Sequence, residues 1–200
     1  TASLYLAEAK RAGLATIVHS HNTSSGSGIA AFVKNVLQYP LRWQADYLFA
    51  CSKGSGIWLY GRRACDSQRF HLLHNGITAA DFRFDPAVRQ AKRRELLGET
   101  VRRFPVFLHI GRLEPQKNHT FLLRMMQEIA AREPDAQLWL CGCGPLEAAL
   151  RRQAQESGLA ERVRFLGVRT DIPGLMQAAD ALLFPSLFEG LPLTLVEAQA

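Results

Sequence analysis

Short apolar runs alternate with amphipathic stretches along most of the chain. That alternation predicts βα units and a parallel sheet, because each strand must be followed by a helix that returns the chain across the sheet. The apolar runs predict strands at residues 15–18, 47–51, 70–73, 106–110, 137–141, 163–166 and 181–184. Several are almost wholly apolar, as strands covered on both faces should be. Between them, residues 120–132 carry Phe121, Leu122, Met125, Met126 and Ile129 at helical spacing and stop before Pro134. The two methionines on that face read as core. Pro145 is expected as the first residue of the next helix, with Leu146, Ala149 and Leu150 facing inward. Pro192 is expected to open a last helix that continues to the end of the chain.

Asn75-Gly76 marks a turn, and the residues after it show little periodicity. A very basic stretch follows at 89–103, with Lys92, Arg93 and Arg94 in a row. These features divide the chain into a first lobe at 1–80, a linker at 81–104 and a second lobe at 105–200. Residues 1–104 hold 15 Lys/Arg against 7 Asp/Glu, a balance of +8, and residues 105–200 hold 9 against 11, a balance of −2. A basic half can touch anionic lipid or nucleic acid, but the charge by itself reads as a solubilising surface.

With 48% hydrophobic and 21% charged residues, the 200-residue chain is globular rather than disordered, collagenous or coiled-coil. No apolar run approaches the ~18 residues needed to cross a bilayer. The start does not read as a signal peptide, since it has no basic lead and carries Glu8 within its apolar stretch. It has no initiator Met either, so the chain is expected to begin in the middle of a protein. Cys51, Cys65, Cys141 and Cys143 form no C-x-x-C element. They argue against a zinc site and fit the cytosol, and Cys141 and Cys143, which flank Gly142 at the end of an apolar run, read as small, reduced, buried residues.

Three groups of residues carry candidate chemistry. Gly111-Arg112-Leu-Glu-Pro-Gln-Lys117-Asn118 directly follows a predicted strand, where open α/β sheets bind ligands. Gly111 lets backbone approach a ligand, Arg112 suits a diphosphate as a bidentate clamp, and Lys117 suits it as a point charge. In the second group, Glu189-Gly-Leu-Pro192-Leu193-Thr194-Leu-Val-Glu197 sits where a helix begins. The amides of Leu193 and Thr194 would face an anion there, and Glu189 and Glu197 are of the class that accepts hydrogen bonds from sugar hydroxyls. The third group, His19-Ser-His21-Asn-Thr23, lies just after the first predicted strand. A histidine there is as often a cap or core residue as a site residue.

Together these residues resemble family 4 of the retaining glycosyltransferases. The likeness rests on Gly111-Arg112-x4-Lys117-Asn118, Cys141-Gly-Cys-Gly-Pro145-Leu146, Val163-Arg-Phe-Leu-Gly167, Ala179-Asp-Ala-Leu-Leu-Phe-Pro-Ser186 and Glu189-x7-Glu197. It covers nearly all of residues 105–200. His19-Ser-His21-Asn22-Thr23 and Leu73-His-Asn-Gly-Ile77 more weakly resemble members that build bacterial exopolysaccharide or capsule. The resemblance implies the GT-B fold, two Rossmann-like lobes with parallel sheets, both incomplete here: it implies a glycine-rich segment ahead of residue 1 and further βα units beyond Ala200.

It also implies roles. Arg112, Lys117 and the amides near Leu193 and Thr194 would hold the donor diphosphate and offset charge on the leaving group. Glu197 would bind the ribose, Glu189 and His19 the transferred sugar, with His21 beside them, and the segment around Gly167-Val168 the base. No metal or cofactor is implied. The donor would be a UDP-sugar, or a GDP-sugar, and the acceptor a glycan or a lipid-linked saccharide at the inner face of the membrane. Transfer would retain configuration. Two other classes compete with this reading. Cys141-Gly-Cys-Gly144 after a strand hints at a nucleotide-cofactor oxidoreductase, although the full G-x-G-x-x-G is missing. The basic stretch 89–103 hints at a module without catalysis that binds nucleic acid or membrane.

Overall fold

The computed structural model describes residues 2–98 and 104–200, and the chain divides into two compact units. The first is Thr1–Gly76 with Phe188–Leu193, and the second is Ile77–Leu187 with Thr194–Ala200.

The first unit is a parallel sheet of β1 (Ile17–Ser20), β2 (Tyr47–Ala50) and β3 (Phe70–Leu72), in that order. Its helices are α1 (Ala2–Arg11), α2 (Ile29–Gln38), α3 (Leu41–Gln44), α4 (Lys53–Tyr60) and α5 (Arg62–Cys65). Leu41, Ala45, Leu48, Leu59 and Tyr60 form its core. The Tyr60 hydroxyl bridges β1 and β2, 2.8 Å from Val18 O and 2.9 Å from Phe49 O. α4 starts where it does because Ser52 and Ser55 form a reciprocal capping box.

β1 lies two residues later than its apolar pattern suggests. Thr16 donates both its N–H and its hydroxyl to the Asp46 carboxylate, each at 2.8 Å. Parallel pairing therefore begins at Ile17 against Tyr47 and runs to Ser20 against Ala50. His19 thus stands inside the strand rather than after it.

The second unit is a four-stranded parallel sheet in the order β6 (Val163–Gly167), β5 (Gln137–Cys141), β4 (Val106–Ile110), β7 (Ala181–Leu182). It carries α6 (Pro86–Leu97), α7 (His119–Arg132), α8 (Glu147–Glu156), α9 (Ile172–Ala178) and, from Thr194 on, α10 (Leu193–Glu197). Alternation along the strands assigns the faces. Leu138 and Leu140 point to one side, against Leu122, Leu123 and Met126 of α7. Val106, Leu108 and Trp139 point to the other, against Leu175 and Ala178 of α9. Each fully buried side chain of this size contributes about 2 kcal/mol relative to exposure.

Three element ends differ from expectation. α8 begins at Glu147, not at Pro145, because Leu146 N–H is engaged by Leu113 O at 3.1 Å. α10 stops at Glu197, and the amides of Gln199 and Ala200 bond three residues back, to Val196 and Glu197, as in a tightening last turn. β7 pairs through only two residues, since Phe184 turns away from the ladder toward Lys117 and His109.

Residues 81–104, expected as a linker, contribute α6, which packs on α9 within the second unit. Leu96 and Leu97 join the Leu175 cluster. Arg93, almost fully buried, donates to Ala178 O at 2.8 Å and to Asp180 at 2.5 Å. The segment 99–103 of the basic stretch lies outside the described residues. No helix among the described residues is long and apolar enough to cross a membrane.

Candidate functional site

In the second unit the chain runs β4, β5, β6 outward, then returns to place β7 on the opposite side of β4. Strand order therefore reverses between β4 and β7, and ligands of open parallel sheets bind beyond the carboxyl ends of strands at such a reversal. The loop at 111–118 leaves β4 at this point, and residues 183–187 leave β7 beside it. The two are stitched together: Leu187 N–H donates to Gln116 O at 2.8 Å, Asn118 Nδ2 to Pro185 O at 3.3 Å, and His109 Nδ1 lies 2.8 Å from Leu183 O.

The β5 loop braces the same structure from the other side. Gly111 N–H donates to Cys141 O at 2.9 Å, and Leu113 N–H to Cys143 O at 3.0 Å. Gly142, at φ +136°, presses so closely on this loop that a Cβ there would lie 2.1 Å from Gly111 O. A Cβ on Gly144 would lie 2.6 Å from Leu113 O. The glycines of Cys141-Gly-Cys-Gly144 thus have a local purpose, letting two loop backbones touch, which leaves the dinucleotide-loop reading without support.

The loop presents its two cations differently. Arg112 is 77% exposed at its side chain and pairs with Glu114 of the same loop at 2.6 Å. An exposed pair of this kind contributes at most about 1 kcal/mol, so an arriving phosphate can displace the carboxylate. Lys117 closes a 3-10 turn, Pro115–Lys117, held by Asn118 in the left-handed conformation at φ 56°. Its aliphatic stem runs so near Gly111 that a Cβ there would lie 3.1 Å from Lys117 Cε, and its ammonium sits 4.8 Å above the centre of the Phe184 ring.

Two histidines outside these motifs lie beneath this loop. The rings of His109 and His119 meet edge to face at 4.7 Å, and both residues are buried. His109 Nε2 has no hydrogen-bond partner among the described residues. Burial pushes both imidazoles down to about 4, and the nearby Lys117 charge pushes each the same way, so both stay neutral at physiological pH. No sequence pattern marks them, because a histidine inside an apolar strand, as His109 is, reads as core, and one at the start of a helix, as His119 is, reads as a cap.

Glu197 lies on α10, and its burial raises its carboxyl pKa. Thr194 opens the second unit's share of that short helix, with Leu193 just before it.

The first unit gathers the remaining candidates. Within it, residues 188–193 lie against the loops that follow β1 and β3. Thr23 Oγ1 donates to Glu189 O at 2.7 Å, and Asn75 Nδ2 to Leu191 O at 3.0 Å. Gly190 packs so tightly that a Cβ would meet His21 O at 2.2 Å. His19, half-buried, has its ring centre 4.0 Å from that of His21, the two rings tilted by 45°, and meets the Phe49 ring edge-on at 6.2 Å. Burial, then the His21 charge, lowers the His19 pKa, and its Nε2 is buried with no partner. His19, His21 and the Glu189 backbone are thus brought together. Thr23 and Asn75, which hold the segment, were not among the expected site residues.

Residues 104–200 match the family described as glycosyl transferases group 1. Over 193 residues the chain is 34% identical to EpsF of Bacillus subtilis, named as a glycosyltransferase, covering 92% of this chain and 48% of that protein. It is 33% identical over 138 residues to an Escherichia coli UDP-Gal:alpha-D-GlcNAc-diphosphoundecaprenol alpha-1,3-galactosyltransferase, covering 68% of this chain and 35% of that one. Among solved structures, Anabaena HepE in complex with UDP-glucose superposes with a TM-score of 0.81 at 24% identity, over 96% of this chain and 53% of that one. The chain therefore spans about half the length of these relatives or less.

Proposed function

From a chain whose residues 104–200 match the glycosyl transferases group 1 family, within a GT-B type of fold, we propose a retaining glycosyltransferase. It moves a hexose or N-acetylhexosamine from a UDP-sugar to a glycan or lipid-linked acceptor in polysaccharide biosynthesis. The observation that carries this reading is the braced loop at 111–118, which sets Arg112 and Lys117 at the strand-order reversal of the second sheet. The relatives add support: the E. coli protein is named for a UDP-galactose donor and a lipid diphosphate acceptor, and HepE holds UDP-glucose.

In this reading Arg112 exchanges Glu114 for a diphosphate oxygen, Lys117 neutralises the leaving group, and the amides at Leu193 and Thr194 add donors. Glu197 accepts from the ribose hydroxyls. Glu189 and His19, with His21, hold the sugar. The acceptor oxygen bonds to the anomeric carbon on the face from which the phosphate departs, and a phosphate oxygen takes the acceptor proton. The fixed cations supply the positive charge, so no metal is required. The basic residues of the first unit suit work at the inner, anionic face of the membrane, in the cytoplasm.

Calorimetric titration with UDP and GDP, with NAD as control, tests the donor site. Expected is UDP binding that Lys117→Ala weakens at least about tenfold, as losing one charge-assisted contact should. Binding of GDP alone would change the donor. Absence of binding by a folded chain and by one extended at both ends would remove the reading. In the extended protein, Glu189→Gln should lower turnover, and the anomeric configuration of the product reports retention.

A further inference from the structure

The first unit carries a second concentration of positive charge, remote from the loops that follow its strands. α4 begins at Ser52, beside those loops, and its eight residues run about 12 Å to Gly61. At that far end α3, α5 and the residues before β3 enclose a cavity of about 520 Å³. Arg42, Arg62, Arg63 and Arg69 line it, Tyr39 and Trp43 wall it, and no carboxylate is among its lining residues. Asp66 faces a neighbouring hollow that it shares with Lys53 and Arg62, so it offsets one of the four charges at most.

Two of the arginines are held rigidly. The Arg42 guanidinium lies 3.9 Å from the centre of the Tyr39 ring, donates through Nε to Tyr39 O at 3.1 Å and through Nη2 to Leu59 O at 3.2 Å. That leaves Nη1 uncommitted. Arg69 donates through its two terminal nitrogens to Ala45 O at 2.9 Å and Arg42 O at 3.1 Å. Arg62 and Arg63 are exposed and have no ion-pair partner among the described residues. Two fixed guanidinia and two free to close over them, with Asp66 offsetting one at most, repel one another until an anion arrives. Arginine's planar fork matches phosphate oxygens two at a time. Tyr39 and Trp43, 53% and 60% exposed, offer apolar surface next to those donors.

We infer that this pocket binds a phosphate group carried on an organic body, at a site separate from the donor loop. The carrier is a soluble phosphate ester or the head group of an anionic lipid, and the same arginines recognise either. The inference is independent of the donor assignment, because no residue of the pocket belongs to it.

The test uses the full chain at low ionic strength, with glycerol 3-phosphate by calorimetry and vesicles of phosphatidylcholine with or without phosphatidic acid by co-sedimentation. Arg62→Glu/Arg63→Glu should weaken the bound probe at least about tenfold. Arg152→Glu, a charge reversal on α8, and Lys117→Ala should leave it within about twofold. Arg62→Gln/Arg63→Gln repeats the comparison without charge reversal, and circular dichroism confirms the fold of each. Binding of glycerol 3-phosphate identifies a soluble ester, and binding of phosphatidic acid vesicles alone identifies a lipid. The inference is overturned if the folded wild-type chain binds neither probe, if Arg152→Glu loses as much as the pocket variants, or if only Lys117→Ala abolishes binding.

Discussion

His109 and His119 are neutral because no charge could be solvated where they lie, and this has a measurable sign. Both have folded pKa values near 4 against about 6.5 when free. Between those limits the unfolded chain binds more protons, so stability is full above about pH 6.5 and falls as pH drops toward 4. For His109 alone the loss is on the order of 3 kcal/mol. The strongly depressed carboxylates, Asp46 and Asp171, act in a lower window: their stabilisation is lost only as pH falls below about 4. Urea midpoints between pH 7 and pH 4.5 should therefore report the histidines. His119→Phe, which removes the buried titratable ring while keeping an aromatic one, should shallow that slope. A slope unchanged from wild type would count against the buried neutral pair. Glu197 shows the opposite arrangement, a carboxylate raised by burial. Glu197→Gln should stabilise the chain slightly while weakening UDP binding, as measured by melting temperature and calorimetry together.

At the scale of elements, the loop at 111–118 is shaped less by its own residues than by the loop beside it. Gly142 combines a backbone angle that side chains rarely adopt with direct contact against Gly111 O. Gly142→Ala should cost about 2–4 kcal/mol in urea denaturation, through strain and displaced backbone, and should weaken UDP binding in the fraction that folds. Gly158→Ala is the control: it also has positive φ but meets nothing within 4 Å, so it carries only the backbone strain and should leave UDP binding unchanged. Equal effects of the two on UDP binding would show that contact with the donor loop is not what matters at Gly142. Among the α10 residues, by contrast, the helix is too short to add much of its own stability.

Over the whole molecule, the charge imbalance between the two halves of the sequence does not describe two surfaces. Arg89, Lys92 and Arg93 are spent within the second unit on Asp180, Asp171 and backbone carbonyls. Asp180 gathers the guanidinia of Arg89 and Arg93 and the amide of Val106 at 2.7 Å. Asp180→Ala leaves the buried Arg93 uncompensated and should destabilise the second unit by about 3–5 kcal/mol, followed through Trp139 fluorescence in urea. A loss below about 1 kcal/mol would show that α6 is anchored by its leucines alone. Arg62 and Arg63 of the first unit, without an ion-pair partner among the described residues, stand instead beside the proposed phosphate pocket.

The sequence by itself determined the βα alternation, the position of every strand to within two residues and the candidate loop at 111–118. Each of these rests on local periodicity or on a short motif, which neighbouring residues alone can write. Tertiary structure decided what depends on residues distant in sequence. It turned the basic stretch into α6 packed on α9, because an amphipathic helix goes where its leucines and buried arginine find partners. It shifted β1 onto His19, because Asp46 claims Thr16. It explained Cys141-Gly-Cys-Gly144 as contact between loops, and it set two neutral histidines beneath Lys117. A strand pattern cannot show any of these, since none is a property of the segment in which it occurs.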